Sequence, residues 1–396
     1  MTPLPKALAA RVSAFLEGDL QGDAPLDALA ADLAAWLDGK PADALRLLLD
    51  DLRDGGGYGL SLRLLARAWE GTLSDAMAGE VAQDWIGTLL HGLGDRAAAS
   101  DIARHVTPGA LGRGAAFAGD LGDLLLSWDL RDEADPLVEF AARRNPGDLS
   151  AQFNYGVVLK FRGDWAACAA QFRALSVHRR DSAVLWNLGI ACTALRDFAG
   201  ARSAWRAVGL TVPDSDGDFA RPGERVPVRL VAAPEAPILA EVVWGDRLCP
   251  CRVRLTGIPR FEPGAAFGDV VLVDGVSAGE TTLNGQTVPI VSALGVFQSA
   301  GGALFRLRAP VGRALAPESM ARVAQALRVA GYAATDWRGV GQATPAVGVV
   351  LAADQAAHDL AAAVTEAIAG LPLFCPELDA AAGRPPGATL ETLPRY

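Results

Sequence analysis

Residues 182–214 read SAVLWNLGIACTALRDFAGARSAWRAVGLTVPD, and this stretch decides how the first half of the chain folds. Its apolar residues recur at three- and four-residue spacing, the period of an amphipathic helix. Gly189 and Ala201 are small residues placed where two antiparallel helices approach closely. Trp205 fills the gap beside them, and Pro213 stops the second helix. The same markers recur upstream. Gly122, Gly156 and Gly189 are 34 and 33 residues apart. Ala134, Cys168 and Ala201 keep those spacings, as do Val138, Phe172 and Trp205, and Pro146, Arg180 and Pro213. Four markers moving in step indicate a repeat architecture.

The pattern resembles the tetratricopeptide repeat (TPR): apolar-Leu-Gly in the first helix, a small residue and an aromatic in the second, and a closing Pro. The resemblance covers residues 115–214. A more degenerate copy starts near Glu80, where Ile86-Gly87, Leu90, Gly94, Ala99 and Ala103 hold the same offsets. It implies helix pairs stacked in a solenoid, whose first helices line a groove for a peptide or a partner's helix. On that helix Phe153 is equivalent to Trp186, and Asn154 to Asn187. The resemblance makes these four residues the candidate partner-binding set, with Lys160 adding a charge. The family's clamp for a C-terminal carboxylate is matched only in part. Asp120 stands at the Asn position of the preceding repeat, and Asp216-Gly217 begins where a following basic helix is needed. A generic protein-binding groove is the expectation.

Helical periodicity extends from Leu4 to about Val212, as in LDALAADLAAWLDGKPADALRLLLDDL at residues 26–52. Breaks are expected at Gly18–Pro25, Asp54–Gly59 and Pro108–Gly114. Residues 1–79 are read as degenerate repeats or a helical cap, and 80–214 as TPR-like repeats. The net charge of −10 lies mainly in residues 1–110, which hold 16 acidic and 9 basic side chains. No basic stripe exists for phosphate neutralisation, so nucleic acid is not an expected partner. No apolar window approaches the ~18 residues of a membrane span. Arg11 and Glu17 interrupt any signal-like segment at the start. Five cysteines, an odd number, fit a reducing compartment, and the cytoplasm is expected.

The composition changes at about Asp214. VPVRLVAA, AEVVWG, CRVRLTGI, DVVLV, TVPIV and LFRLRAP read as strands between Val226 and Pro310, and Asp274-Gly275 and Asn284-Gly285 as turn dipeptides. A small barrel or sandwich is expected over residues 226–302. Residues 303–376 follow the order β-α-β-β-α-β of a ferredoxin-like unit, with Leu371–Phe374 as its last strand. Residues 377–396 read as a loose tail. The repeat array has no polar closing helix after Pro213, so strands from Val226 are expected to pack on the last helix, Phe198–Gly209, and cover Trp205.

Cys249-Pro-Cys251 is the sharpest chemical cluster. Two thiolates one residue apart can clip a soft metal ion or close a strained disulfide. Zinc needs four ligands, and neither further ligands nor CxxC spacing is present. Alternation along CRVRL places the pair on one face of a strand end, so two core cysteines are the expectation. Asp214-Ser-Asp216-Gly217-Asp218 alternates carboxylates like a calcium loop. Arg225 stands where the closing Glu belongs, so a solvated linker is expected. The four histidines are scattered and form no known set. The reading is a non-catalytic interaction scaffold without cofactor or metal: an adaptor, a dedicated chaperone or a toxin-neutralising immunity protein with a protein or peptide partner. The alternative is an enzyme or small-ligand sensor with its site in residues 226–376.

Overall fold

The computed structural model describes residues 4–214, 217–221, 223–231, 240–260, 264–309, 315–337 and 346–385. The chain divides into two compact units, Met1–Arg162 with Ala170–Arg179, and Gly163–Ala169 with Arg180–Tyr396. Among the described residues, no helix is long and apolar enough to cross a membrane.

The first unit is helical: α1 (Lys6–Leu16), α2 (Asp23–Leu37), α3 (Ala42–Asp54), α4 (Tyr58–Trp69), α5 (Asp75–Gly87), α6 (Arg96–Arg113), α7 (Ala115–Ser127), α8 (Arg131–Arg144), α9 (Leu149–Arg162) and the C-terminal part of α10 (Trp165–His178). Leucines at helical spacing build its core. Leu29 and Leu33 of α2, Leu45, Leu49 and Leu52 of α3, and Leu60, Leu64 and Leu65 of α4 are fully buried. The second unit begins with the N-terminal part of α10 and the pair α11 (Ser182–Ala194) and α12 (Phe198–Ala207).

The repeat register reappears as geometry. A Cβ placed on Gly122 would lie 2.7 Å from Val138 Cγ2, one on Gly156 2.7 Å from Phe172 Cζ, and one on Gly189 2.7 Å from Trp205 Cη2. Each glycine therefore marks the same close helix–helix approach. The turns repeat as well. Gly94, Asp129, Gly163 and Arg196 have φ of +68°, +62°, +73° and +60°, at spacings of 35, 34 and 33 residues. One left-handed residue thus ends the first helix of each pair. The next residue caps the second helix through its side chain where it is Asp95, Asp164 or Asp197. Residues 115–207 are TPR-like helix pairs.

Two expectations within the helical half change. Pro108 does not break a helix but lies inside α6, and the break comes at Gly114, with φ +106°. The Thr107 hydroxyl donates to Ala103 O at 2.8 Å, giving that turn a side-chain hydrogen bond where Pro supplies none. Gly87 does not repeat the glycine contact. A π-helical turn, Thr88–Gly92, follows it, and Asp95 N bonds Leu89 O at 2.8 Å, six residues back. The equivalent bonds at Leu130 and Asp197 span five. The extra residue rotates Gly87 away from the second helix, so that a Cβ there would meet Trp128 at 3.3 Å.

Beyond α12, β1 (Arg225–Val231), β2 (Ala240–Cys249), β3 (Arg252–Leu255), β4 (Val270–Leu283) and β5 (Gln286–Gln298) close into a barrel in sequence order, with β1 parallel to β5. Alternate residues fill it, including Val228, Val253, Val271 and Val273. Asn284 and Gly285, at φ +50° and +80°, turn β4 into β5. Asp274-Gly275 is not a turn but a bulged part of β4, where the register shifts between Val273 and Ser277. A Cβ on Gly275 would lie 2.0 Å from Trp186 Nε1, so glycine there lets the strand cross an indole. A second sheet has the order β6-β8-β7, built from β6 (Ala303–Arg308), β7 (Ala333–Trp337) and β8 (Ala346–Leu351), all antiparallel. It shares a core with α13 (Pro317–Val329), α14 (Ala357–Ile368) and α15 (Pro376–Ala381). The segment Leu371–Phe374 contributes one bridge, Phe374 to Arg308, rather than a strand. The start of the segment read as a tail forms α15, because Leu378 and Asp379 are fully buried. Residues 386–396 of it lie outside the described residues.

The last repeat pair is covered by the chain itself. Ile190, Cys192, Ala201 and Trp205 share one core with Val212, Phe219, Cys249, Cys251 and Leu272. The cover is made by the linker, the β2–β3 turn and β4. It does not come from the strand beginning near Val226, whose Val226, Val228 and Leu230 face the barrel interior.

Candidate functional site

The first unit holds three of the expected partner-binding residues. Phe153, half-buried on α9, stacks edge-on against Phe172 at 5.7 Å. Arg179 lies 4.8 Å over its ring. The Asn154 amide donates to Asp123 Oδ1 at 3.0 Å, tying α9 to α7. Lys160 is buried, with Nζ 4.7 Å from the Phe161 ring. A carboxylate clamp needs a lysine facing the groove. Asp120 and Asp123 are exposed on α7, and Asp123 places a carboxylate beside Asn154.

The second unit holds Trp186 and Asn187. Trp186 packs edge-on against Trp205 at 5.0 Å, with Gly275 passing directly beneath its ring edge. Asn187 is buried and donates to Ala183 O at 2.9 Å within its own helix. Trp186 Nε1, Trp205 Nε1 and Asn187 Oδ1 have no hydrogen-bond partner among the described residues. These two positions are equivalent in sequence to Phe153 and Asn154, yet here β4 lies over the indole. Periodicity within the repeats carries no signal for a strand that arrives some ninety residues later.

The cysteine pair sits where β2 turns into β3. Cys249 ends β2 behind a bulge at Arg247, Pro250 forms the corner, and Cys251 precedes β3. Both are buried in the core beside α11 and α12. Arg252, with a side chain only 2% exposed, organises the cluster. Its Nε lies 3.2 Å from Cys249 Sγ, and its two terminal nitrogens grip both oxygens of Asp218. Phe297, Phe198 and Phe219 surround the guanidinium at 5.0, 5.4 and 5.6 Å. The hydrogen bond from Cys251, with the Arg252 charge, outweighs burial and lowers the Cys249 thiol from 9.0 to about 6. Burial, then the bond to Cys249, pushes Cys251 well above the ordinary thiol range. The bond from Arg252 lowers the Asp218 carboxyl.

The sequence pattern places Asp218 in a solvated acidic linker and Arg252 within the strand CRVRL. Asp218 instead neutralises a buried cation, and no local pattern links residues 34 positions apart. Among the described residues, no three of His, Cys, Asp and Glu gather into a metal-binding group.

No family model matches the chain, and no curated protein matches it by sequence. Among solved structures it is similar to MamA of Desulfovibrio magneticus RS-1, at 16% identity, over 43% of this chain and 94% of that one, with a TM-score of 0.32. It is similar to MamA of MSR-1 at 20% identity, over 42% and 92%, with a TM-score of 0.29. It is also similar to YrrB, described as a TPR protein with an unusual peptide-binding site, at 16% identity, over 50% and 90%, with a TM-score of 0.29.

Proposed function

We propose that the chain is a non-catalytic protein-interaction scaffold, an adaptor, dedicated chaperone or immunity protein that works in the cytoplasm. The observation that carries this reading is the thrice-repeated glycine contact, which closes three helix pairs in the same way. Stacked pairs of this kind offer an extended face for a peptide or a partner's helix. The binding residues we favour are Phe153 and Asn154, half-buried on α9, next to Arg179 and the exposed Asp123. Asp123 and Arg179 suit a partner with charged side chains of both signs. Lys160, Trp186 and Asn187 take inner, packing roles.

We also propose the division into residues 1–79, 80–214, 226–302, 303–376 and 377–396. The antiparallel order β6-β8-β7, with Phe374 bridged to the outer side of β6, supports a split βαβ, ferredoxin-like reading of residues 303–376. The alternative, a small-ligand sensor, draws support from a cavity of about 330 Å³ lined by Ile258, Phe267, Asp269, Leu304, Arg306 and Val350.

The test is capture of partners by the full-length protein from its native cell, repeated with Asn154→Ala and Phe153→Ala. A partner retained by the wild type, weakened by salt and lost with both variants supports the scaffold. Retention by both variants refutes this face.

A further inference from the structure

Five free cysteines are buried, but they do not share one environment. Cys168, Cys192 and Cys375 are 0–1% exposed. Burial pushes Cys375 up to about 11. Cys249 differs in three respects. It is 8% exposed, where its neighbour Cys251 is 0%. It has a guanidinium N–H 3.2 Å from its sulfur. It is also hydrogen-bonded to a second thiol two residues along the chain. An adjacent buried cation favours a thiolate and opposes a metal cation, so the cluster suits nucleophilic attack rather than metal capture. Residues two apart lie within about 7 Å at Cα, and a disulfide needs about 4.4–6.8 Å. The Pro250 corner brings the two side chains together.

We propose that Cys249 and Cys251 form an oxidisable thiol pair, which a hydroperoxide converts to an intramolecular disulfide through a sulfenic acid on Cys249. In the first step the Cys249 thiolate attacks the outer peroxide oxygen. An S–O bond forms, the O–O bond breaks, and the leaving oxygen departs as alcohol or water after taking a proton from solvent. In the second step the Cys251 sulfur attacks Cys249 Sγ. The S–S bond forms, the S–O bond breaks, and the hydroxyl leaves as water with the Cys251 proton. Two thiols lose two electrons, and the peroxide gains them. Arg252 is a positioning residue that, together with the hydrogen bond from Cys251, holds Cys249 as the anion. Thr193 of α11 is in hydrogen-bonding contact with Cys251, the attacking group. Oxidation discharges Cys249 and leaves Arg252 with Asp218 alone. This happens in the core that α11, α12 and the barrel share, so the packing of the last repeat reads the redox state.

The test uses the reduced full-length protein, hydrogen peroxide and peptide mass mapping. The segment Leu248–Arg252 lies between two arginines, so trypsin releases both cysteines on one peptide. The expected product is loss of two hydrogens from that peptide, with Cys168, Cys192 and Cys375 still free thiols. Cys251→Ser should stop at a sulfenic acid that a 1,3-diketone traps on Cys249, and Cys249→Ser should leave Cys251 unoxidised. At neutral pH the thiolate fraction exceeds that of an ordinary cysteine about thirtyfold. The weaker nucleophilicity of a low-pKa thiolate removes about tenfold of this, leaving a rate about threefold above an exposed cysteine. Arg252 variants risk misfolding, so the joint effect of Arg252 and Cys251 on Cys249 is read from the wild type. Alkylation of Cys249 by iodoacetamide should be half-maximal near pH 6. A midpoint near about 8.5, oxidation of the other three cysteines at equal rates, or an unchanged Leu248–Arg252 peptide would each overturn the proposal.

Discussion

Alanine in place of glycine should have opposite signs at two helical sites that look alike in sequence. In a helix interior, Ala is favoured over Gly by about 0.8–1 kcal/mol, because it restricts the unfolded chain. Gly79 in α5 should show that gain, since a Cβ there meets only Phe117 at 3.9 Å, an ordinary contact. At Gly189 the new methyl would stand 2.7–2.8 Å from three atoms of the Trp205 ring. The ring must retreat by about 0.7 Å to reach normal contact. It is fully buried and already abuts Trp186 at 5.0 Å. Overpacking of this kind costs about 1–3 kcal/mol. Set against the propensity gain, Gly189→Ala should lose about 0–2 kcal/mol, and Gly156→Ala against Phe172 should behave alike. Urea unfolding of the full-length variants, followed by circular dichroism, measures the difference from Gly79→Ala, which is the overpacking cost of about 1–3 kcal/mol. Combining Gly189→Ala with Trp205→Leu should cost less than the sum of the two, because the shorter side chain frees the space. If Gly156→Ala and Gly189→Ala both stabilise as Gly79→Ala does, the close approach is not what these glycines supply.

Gly163→Ala forces a Cβ into a left-handed turn at φ +73° and should destabilise by about 1–2 kcal/mol, whereas Asp129→Gly at the equivalent turn should be neutral or stabilising, as thermal melts can decide. Truncation after residue 214 uncovers Ile190, Cys192 and Trp205; sedimentation should show aggregation, and a soluble monomer as heat-stable as the full chain would disprove the capping role of the barrel. The folded-state Cys249 thiol lies at about 6, below its ordinary 9.0, so its thiolate contributes stability that is complete above pH 9.0 and lost as the pH falls through about 6. The urea midpoint of the wild type should therefore rise more steeply across that window than that of Cys249→Ser.

The sequence by itself determined the helical pairs. Gly122, Gly156 and Gly189, their large partners sixteen residues on, and the small residues between them are all local signals. A helix pair closes over a short turn, so its packing is written within about thirty residues. The Asn284-Gly285 hairpin and the alternating valines of the barrel were legible for the same reason. Where an element's surroundings come from elsewhere, local reading misleads. Asp274-Gly275 has turn chemistry but must clear Trp186, and Gly87 has the right offset but is displaced by one added π-turn residue. The candidate site divides in the same way. Phe153 and Trp186 are equivalent by periodicity, yet tertiary structure lays a strand across the second. Asp218, Arg252 and the cysteine pair became one charged cluster only after the linker, the β2–β3 turn and α12 shared a core. Burial and charge pairing depend on which distant segment arrives, and no residue's neighbours in sequence record that.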